Sequence, residues 1–571
     1  MSNYCKRPAK FIENSGGRVF RGERAILERL QSQLKGESWT LIAETYPGVS
    51  EEKIRGLLEA LHPDLIISAR EILKDEESMK PLLENILTDD RVFGRMYYGD
   101  LTDFIDLYKA DYLRAKIEGS GGKIAVYGFG ASLLSDSGLC IYADISRWEI
   151  QLRYRSGMPN YFTDNPDEDI LKKFKQGYFL EWRIADKLKA AYMDRMDWFI
   201  DACRDDDYVM IRRDLFDEAL QREASEPFRV VPYFDPGVWG GQWMKKVCGL
   251  DPEKPNYAWS FDGVPEENSV CFDFGGTIVE MPAMNLILRH PEKLLGKKVY
   301  ARFGAEFPIR FDFLDTMGGQ NLSLQVHPTT EYIHRQFGMA YTQDESYYIL
   351  DAEEGACVYL GLKEDVETAD LIAALEEAQK GDEPFDAEKY INRIPAKKHD
   401  HFLIPAGTIH CSGSGAMVLE ISATPYIFTF KLWDWGRLGM DGKPRPINIE
   451  RGSRVIKERR TGWVMDNLVN RFSVVEETDG CTQEHTGLHE LEFIETRRFT
   501  ISTEAQIDCH ESVNVLNLVE GVSCLVESAD GSFAPFEVHY AETFIVPESV
   551  RKYRIRAAGG PVRVMQAYVR V

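Results

Sequence analysis

Several features that would place the chain in a familiar class are missing. Its ten cysteines include no C-x-x-C pair, so the sequence favours reduced thiols over a zinc knuckle or a disulfide framework. No run approaches the ~20 apolar residues that span a bilayer. The N-terminal M-S-N-Y-C-K-R-P also lacks the apolar core of a signal peptide. We therefore expect a cytoplasmic protein without a membrane partner.

Positive charge is also scarce, because 68 Lys and Arg residues stand against 92 Asp and Glu residues, a net charge of −24. This balance argues against nucleic acid or an anionic membrane surface as a partner. A phosphorylated small molecule would need a local basic pocket. With 44% hydrophobic and 28% charged residues the composition is globular, and 571 residues exceed a single core, so about three domains are expected.

The first 225 residues alternate between helical and strand patterns. Apolar residues recur at helical spacing in three early segments, and two compact apolar runs follow them before a long helical stretch. This alternation predicts an α/β domain with a parallel sheet over residues 1–225. The helical patterns are Arg24 to Leu34, Glu51 to Leu61, Leu101 to Ile117 and Ile145 through Phe199, and the strand candidates are Lys123 to Tyr127 and Leu139 to Ala143.

A glycine turn, Gly128-F-G-A-S, follows the first of these strands, a setting in which backbone N–H groups can receive phosphate. The chain has no G-x-x-x-x-G-K-[ST] and no third glycine of the dinucleotide fingerprint. With Tyr142-A-D-I-S-R-W-E-I-Q-L-R-Y-R, the segment resembles a degenerate P-loop kinase that has lost its lysine. Two interpretations stay open: a tight structural turn, or a site for a nucleotide or another anion without catalysis. Arg147, Arg153 and Arg155 either bind that anion or form a solvated helix face.

From Phe228 onward the pattern changes to short runs with frequent Gly, Pro and Asn. Such spacing predicts an all-β region of two jelly rolls. Residues 364–394 form one interruption, predicted as a helical insertion, and strands are expected to resume from Leu491 to Val571. The predicted domains are therefore residues 1–225, 226–455 and 456–571, an α/β domain fused to two jelly rolls.

Four polar residues of this all-β region could hold a metal ion. In Leu322 to His327 the side chains alternate, so Gln325 and His327 share one strand face. Glu345 begins a second strand candidate, and His410 ends F-L-I-P-A-G-T-I-H. Two imidazoles, a carboxylate and an amide oxygen suit a divalent transition metal, with zinc the first choice. Taken singly, each histidine is equally explained as an ordinary polar residue at a strand end.

A family resemblance rests on these same segments. L-S-L-Q-V-H-P, Glu345-S-Y-Y-I-L, Gly355-A-C-V-Y-L-G-L-K and Pro405-A-G-T-I-H together resemble the type I phosphomannose isomerases, which are zinc-dependent bicupins. The resemblance extends from Arg229 to the C-terminus. It implies that Gln325, His327, Glu345 and His410 bind one Zn²⁺ per chain, and that His399 and His401 do not.

The resemblance also implies an activity, the interconversion of mannose 6-phosphate and fructose 6-phosphate through an enediol. This reaction needs a base, an electrophile and cationic groups for the phosphate. Glu420 is the candidate for proton transfer, Lys431 or Arg437 for charge neutralisation, and Ser323 for a hydrogen bond to phosphate. Arg310 is a further candidate for substrate binding. The structural alternatives are a core carboxylate for Glu420, a solvated loop for the basic pair and strand surface for Ser323.

The sequence departs from the family at three positions. Gln343 stands where many members have a lysine proposed for proton transfer, Asp312 stands where a lysine is usual, and Lys431 occupies the place of an arginine. Lysine and arginine are not interchangeable in bidentate contacts. Two alternatives to the isomerase therefore remain: a metal-binding sugar-phosphate sensor without turnover, and an isomerase for a different aldose phosphate.

Overall fold

The computed structural model describes residues 3–13, 16–381, 384–425, 427–440, 442, 445, 447–487, 489–490 and 492–571. The chain divides into two compact units. The N-terminal unit comprises Ala9–Glu223 and Ser269–His290, and the C-terminal unit comprises Met1–Pro8, Ala224–Asn268 and Pro291–Val571. None of the helices within the described residues combines the length and the apolar composition that crossing a bilayer requires.

The strands are numbered in chain order. They are β1 (Ala9–Phe11), β2 (Val19–Arg21), β3 (Trp39–Thr45), β4 (Leu65–Ser68), β5 (Lys123–Gly128), β6 (Leu139–Asp144), β7 (Trp198–Asp201), β8 (Val209–Arg212), β9 (Tyr233–Asp235), β10 (Trp259–Gly263), β11 (Ser269–Asp273), β12 (Ile278–Pro282), β13 (Ile309–Asp315), β14 (Leu324–Val326), β15 (Glu345–Ala352), β16 (Cys357–Leu362), β17 (Ile391–Pro395), β18 (His401–Ile404), β19 (His410–Ser412), β20 (Ala416–Ala423), β21 (Phe430–Trp433), β22 (Ser473–Glu477), β23 (Cys481–Gly487), β24 (Ile494–Ile501), β25 (Glu504–Asp508), β26 (Asn514–Glu520), β27 (Ser523–Ser528), β28 (Phe536–His539), β29 (Thr543–Val546), β30 (Lys552–Ala558) and β31 (Val562–Val569).

The α-helices are numbered in the same way. They are α1 (Glu23–Gln33), α2 (Glu51–Glu59), α3 (Glu76–Leu87), α4 (Leu107–Gly119), α5 (Arg147–Arg155), α6 (Ile170–Gln176), α7 (Trp182–Tyr192), α8 (Arg213–Glu223), α9 (Trp243–Val247), α10 (Met284–Arg289), α11 (Pro291–Leu295), α12 (Lys297–Phe303), α13 (Thr330–Phe337), α14 (Thr368–Lys380), α15 (Ala387–Tyr390), α16 (Ile449–Ser453) and α17 (Thr461–Asn467). A π-helical turn, Gly177–Glu181, joins α6 to α7.

The N-terminal unit is built on a seven-stranded sheet in the order β2-β8-β7-β6-β3-β5-β4. Strands β4, β5, β3, β6 and β7 pair in parallel, as helix-connected strands do. Strand β8 is antiparallel to both β7 and β2, so the sheet is mixed rather than purely parallel as predicted. The resemblance of this unit to a kinase stays a prediction.

The long helical pattern predicted from Ile145 through Phe199 is broken in the structure into α5, α6, the π turn and α7, and it ends in β7. Arg147, predicted on an anion site or a solvated face, is buried and forms an ion pair with Asp186, with Nη2 2.5 Å from Oδ2. Helical spacing relates residues within one helix, so it could not predict this ion pair, in which Arg147 lies in α5 and Asp186 in α7.

The glycine turn after β5 serves an internal carboxylate. Gly128 and Gly130 both have positive φ, at 108° and 99°, which favours glycine. The N–H groups of Gly130 and Ser132 donate to the two carboxylate oxygens of Glu44, at 2.7 and 2.8 Å. The turn therefore does receive an anion, but that anion is a side chain at the end of β3.

Two segments belong to a different structural unit from the one that their position in the sequence suggests. Strands β11 and β12 form a small sheet with β1, which pairs in parallel with β11 from Ala9↔Cys271 onward. This pairing places Ser269–His290 in the N-terminal unit, whereas Met1–Pro8 belongs to the C-terminal unit. Such long-range pairing leaves no local sequence pattern. The three predicted domains stay a prediction.

The C-terminal unit contains two β-sandwiches. The first pairs the sheet β18-β15-β20-β13-β10-β9 with the sheet β17-β16-β19-β14-β21, and the second pairs β22-β23-β24-β31-β26-β29 with β25-β30-β27-β28. The strand pairs within these sheets are antiparallel. Alternating apolar residues such as Leu516 and Leu518 of β26 and Val564 of β31 fill the second sandwich.

Two predicted boundaries within this unit change. The helical insertion expected over residues 364–394 consists of α14 and α15, and its last residues form strand β17 because they pair with β16. Strands resume at Ser473 with β22, earlier than predicted, while the predicted starting residue, Leu491, lies outside the described residues.

Candidate metal centre

The four predicted ligands come from both sheets of the first β-sandwich. Gln325 lies in β14 and pairs directly with His410 of β19. His327 follows β14 and shares the face of Gln325, because side chains two residues apart point the same way. Glu345 is the first residue of β15 in the opposite sheet. The interior between the two sheets therefore receives all four side chains.

The three ionisable members of this group lie in mutual contact. Glu345 Oε2 is 3.0 Å from His327 Nε2, and Glu345 Oε1 is 2.8 Å from His410 Nε2. One donor atom from each residue lies within 4.8 Å of the others, and all three residues are buried. The side-chain amide of Gln325 reaches His410 Nε2 at 3.2 Å, so rotation about its last bond can bring the amide oxygen to the same point.

Backbone carbonyls fix the orientation of both imidazoles. His327 Nδ1 is 3.2 Å from the oxygen of Phe428, and His410 Nδ1 is 2.9 Å from the oxygen of Thr408. A carbonyl accepts a hydrogen bond, so each Nδ1 carries the proton and each Nε2 presents a lone pair. Lone pairs held in this way are the usual arrangement of histidine ligands to a metal.

The charge state of the group suits a cation. Burial raises the pKa of Glu345, but His327 and His410 outweigh it and bring the pKa well below its ordinary range. Burial lowers the pKa of His327, and the Glu345 carboxylate more than offsets this, so the pKa is raised and a proton competes with a metal ion for Nε2. With two imidazoles, an anionic carboxylate and an amide oxygen, the donor set fits a divalent transition metal ion.

A second acidic group adjoins the ligands. Asp312 of β13 stands directly opposite Glu420 of β20, and Arg310 contacts both, with Nη2 2.9 Å from Asp312 Oδ2 and Nη1 3.2 Å from Glu420 Oε1. Gln343 Nε2 donates to Glu345 Oε2 at 3.0 Å and to Glu420 Oε1 at 3.3 Å. Gln343 thus links the candidate ligand to the candidate base.

Burial dominates the acidity of this second group. Burial raises the pKa of Asp312 to about 7, with Arg310 lowering it and Glu345 raising it. Burial, then Asp312 and then Glu345 raise the pKa of Glu420 well above its usual range. Arg310, predicted as a substrate contact, therefore neutralises two carboxyl groups of the chain itself.

A basic cluster forms around Asp434 just after β21, and we call Ser323, Asp434, Arg437 and Arg445 the Asp434 cluster. Ser323 Oγ donates to Asp434 Oδ1 at 2.9 Å, Arg437 Nη2 lies 2.5 Å from the same oxygen, and Arg445 Nη1 lies 2.8 Å from Oδ2. Two guanidinium groups face one carboxylate, so the cluster carries a net positive charge. Ser323 and Arg437 were predicted from the sequence, whereas Asp434 and Arg445 were missed.

Lys431 lies apart from that cluster. It is the residue of β21 that pairs with Gln325, so the two side chains share one face of the sheet. Lys431 is partly exposed, as a substrate contact requires. His401, set aside as a ligand, instead directs Nδ1 to the oxygen of Thr486 at 3.0 Å, and burial lowers its pKa to about 3.

Comparison with known proteins gives a separate result for each part of the chain. Residues 22–225 match a family model described as a domain of unknown function, DUF8485. The chain is 28% identical over 236 residues to the mannose-6-phosphate isomerase of Streptococcus mutans, which is 41% of this chain and 68% of that protein. It is 25% identical over 304 residues to mannose-6-phosphate isomerase ManA of Bacillus subtilis, which is 52% of this chain and 87% of that protein.

Solved structures are similar at a more distant level. The mannose 6-phosphate isomerase from Bacillus subtilis aligns with a TM-score of 0.49 at 20% identity, covering 60% of this chain and 100% of that one. A point mutant of phosphomannose isomerase from Salmonella typhimurium aligns with a TM-score of 0.46 at 14% identity, covering 61% and 100%. In sequence, the chain is similar to proteins named mannose-6-phosphate isomerase.

Proposed function

We propose that the C-terminal unit is a metal-dependent aldose–ketose isomerase that interconverts mannose 6-phosphate and fructose 6-phosphate through an enediol. The observation that carries this proposal is the convergence of His327, Glu345 and His410 between two sheets. A buried carboxyl group lies beside them, and a basic cluster follows β21, the strand that pairs with β14. The names of the relatives from Streptococcus mutans and Bacillus subtilis support the substrate.

The proposed metal is one Zn²⁺ per chain, held by Gln325, His327, Glu345 and His410. Nitrogen and oxygen donors of these types are common in zinc sites, and four protein ligands can still admit a fifth donor. When bound, the ion supplies positive charge that stabilises the enediolate oxygens. Gln343 holds Glu345 through its amide and so keeps the carboxylate in place.

Glu420 is the proposed base. Its carboxylate removes the proton from C2 of the open-chain aldose and returns it to C1, while the hydroxyl proton passes from O2 to O1, so the carbonyl group moves from C1 to C2. The raised pKa makes the ionised Glu420 carboxylate a stronger base than that of an ordinary glutamate. Arg310 and Gln343 bind Oε1, so they position the carboxyl group and leave Oε2 for the proton. A direct contact from Arg310 to the sugar stays a prediction.

The Asp434 cluster is the proposed phosphate site. Ser323 precedes Gln325 by two residues on one strand face, roughly 7 Å along the strand. Arg437 and Arg445 offer planar guanidinium groups of the kind that bind phosphate through two hydrogen bonds. Lys431, beside Gln325, is proposed to neutralise charge nearer the sugar oxygens.

The direct test is conversion of mannose 6-phosphate to fructose 6-phosphate by the full-length protein. Activity should vanish with a chelator and return with Zn²⁺. Other aldose 6-phosphates belong in the same assay, because the residues do not fix the sugar. Absence of turnover of every one of them by a protein that holds one Zn²⁺ would overturn the isomerase.

A second function is favoured by the acidic group around Arg310. Asp312 and Gln343 stand where basic residues act in the resembling family, and Arg310 is already bound by two carboxyl groups. The chain would then bind a sugar phosphate at the metal without turning it over, as a sensor. Binding of mannose 6-phosphate without conversion, together with activity created by Gln343→Lys, would select the sensor. The cytoplasmic location predicted from the sequence belongs to both proposals.

A further inference from the structure

The N-terminal unit has a cavity of about 570 Å³ at the carboxyl ends of its parallel strands. One wall is the loop of residues 46–50, which leaves β3 and begins α2, and the other wall is formed by residues 153–161 at the end of α5. Strands β3 and β6 are neighbours, and the chain leaves them toward opposite edges of the sheet, from β3 to β4 and from β6 to β7. Open α/β sheets bind small ligands at this place, and the volume lies in the range of small-molecule sites.

Phosphate is a poor occupant of this cavity. The first turn of α2, where backbone N–H groups would attract an anion, carries Glu51 and Glu52, and the Ser50 side chain caps it. The other anion-receiving turn of the sheet, after β5, is filled by the Glu44 carboxylate. At the first turn of α2 a phosphate dianion would therefore be repelled by two carboxylates. At the turn after β5 the Glu44 side chain already occupies the place of an anion.

The basic residues of the cavity do not change this conclusion. Arg70 binds Glu51, with Nε 2.6 Å from Oε2, and packs 4.1 Å over the ring of Tyr161. Arg153 donates to the oxygen of Gly48 at 3.0 Å and pairs with Asp205 at 3.1 Å. Each guanidinium group thus already has a carboxylate partner.

The lining instead mixes donors and acceptors over aromatic surfaces. Four carboxylates and two arginines line the cavity together with three tyrosines: Glu51, Glu52, Glu181, Asp205, Arg70, Arg153, Tyr46, Tyr154 and Tyr161. Within the part of the chain that the structure describes, Glu51 Oε1 has no hydrogen-bond partner but almost no accessible surface, so the oxygen left to meet a ligand is Oε2, which accepts from Arg70 Nε and keeps a second lone pair. A hydroxyl group both donates and accepts, so a ligand of many hydroxyl groups matches such a surface better than a ligand of one charge.

We propose that this cavity binds a neutral, polyhydroxylated small molecule of the size of a free hexose or hexitol, with Glu51 accepting hydrogen bonds from its hydroxyl groups. Tyrosine rings and the side chains of Met158 and Pro159 offer the apolar surface that the C–H faces of such a molecule need. Binding at this cavity does not depend on the isomerase proposed for the C-terminal unit.

The test is binding of D-mannose, D-glucose and D-mannitol to the full-length protein, measured by calorimetry at millimolar ligand. His410→Ala serves as the parent, so that the metal centre does not contribute. At least one of the three should bind with one site per chain. Glu51→Gln should weaken that binding about tenfold, because it breaks the charged partner of the hydroxyl groups. Glu59→Gln, on the same helix but in an exposed pair with Arg55, is the matched control and should change nothing.

A second variant guards against an effect of Glu51→Gln on folding. Ser156→Trp places a large ring at the exposed rim of the cavity and should abolish binding while the thermal unfolding midpoint stays unchanged. The proposal is overturned if none of the three probes binds. It is equally overturned if MgATP, inorganic phosphate or spermidine binds there instead, with the same sensitivity to Glu51→Gln. The proposal would also be overturned if a sugar bound to the native protein but not to His410→Ala, because the metal centre would then be the binding site.

Discussion

The two β-sandwiches of the C-terminal unit share an architecture but fill it with opposite chemistry. Between the sheets of the first lie His327, Glu345, His410, Asp312 and Glu420. The second is filled mainly by aliphatic and aromatic side chains, with neutral amides such as Asn514 and Gln566 hydrogen-bonded among them. Burying ionisable groups costs several kcal/mol unless a partner or metal compensates. The interior of the second sandwich therefore stabilises the fold. The buried ionisable groups of the candidate metal centre make the first sandwich less stable than an apolar interior would.

The largest effect is expected from removing one candidate metal ligand of the first sandwich. We expect His410→Ala to lose its bound metal and to reduce isomerase activity by more than about 100-fold, since even indirect support of a ligand is worth 10–100-fold. His334→Ala, at an exposed position of α13, is the matched control and should keep both properties. Metal analysis and the coupled assay measure the two effects. A His410→Ala protein with its full metal content would exclude His410 from the site.

A substitution in the core of the second sandwich should have the opposite result, a loss of stability without a loss of metal. Leu516 is fully buried in its core, so Leu516→Ala should cost about 3–5 kcal/mol of unfolding free energy. Metal content and the activity of the folded fraction should not change. Val522→Ala, half exposed in the same sandwich, should leave the midpoint of thermal unfolding nearly unchanged. Loss of metal in Leu516→Ala at a temperature where it stays folded would show that the two interiors are not independent.

A third change exchanges stability for activity within the first sandwich. Glu420→Gln should lower turnover by about 100-fold or more because the proposed base is lost. It should raise the unfolding free energy wherever Glu420 is ionised, because burial and the neighbouring Asp312 oppose that charge. Metal content should stay at the native value. Glu477→Gln, exposed in β22, is the control, and unchanged turnover in Glu420→Gln would assign the proton transfer elsewhere.

The four candidate ligands could be selected from the sequence because strand geometry is local. Gln325 and His327 share a face through the two-residue period of a strand, and Glu345 and His410 each stand at the end of an apolar run. What such patterns do not contain is the pairing between distant strands. The register that sets Asp312 against Glu420 gives Arg310 two internal partners that the sequence did not predict, while its contact with a substrate stays a prediction.

Residues in loops and pairings between distant segments were the other features that the sequence did not predict. Arg445 reaches Ser323 and Asp434 through a connection without periodicity, so no pattern singled it out. The α/β nature of the N-terminal unit was visible because parallel strands are continuous apolar runs. Its antiparallel strands β2 and β8 and the pairing of β1 with β11 were not visible, since each joins segments far apart in the chain.

The smallest effect concerns pH and compares one carboxyl group from each sandwich. Burial raises the pKa of Asp315, at the end of β13, to about 7, although the N–H groups of Met244 and Met317 lower it. The folded state therefore keeps a proton that the unfolded chain loses above about pH 4, so stability falls as pH rises from about 4 to 7. Asp315→Asn should flatten that part of the unfolding-midpoint profile.

Asp530 provides the opposite case in the second sandwich. Hydrogen bonds from Ser528 and Ser532 lower its pKa to about 2, so any stability it contributes is present above about pH 4 and is lost as pH falls toward 2. Asp530→Asn should therefore leave the midpoints between pH 4 and 7 unchanged, because both states of the chain have lost this proton there. If Asp315→Asn and Asp530→Asn gave the same profile in that window, the burial of Asp315 would not be the origin of the pH dependence.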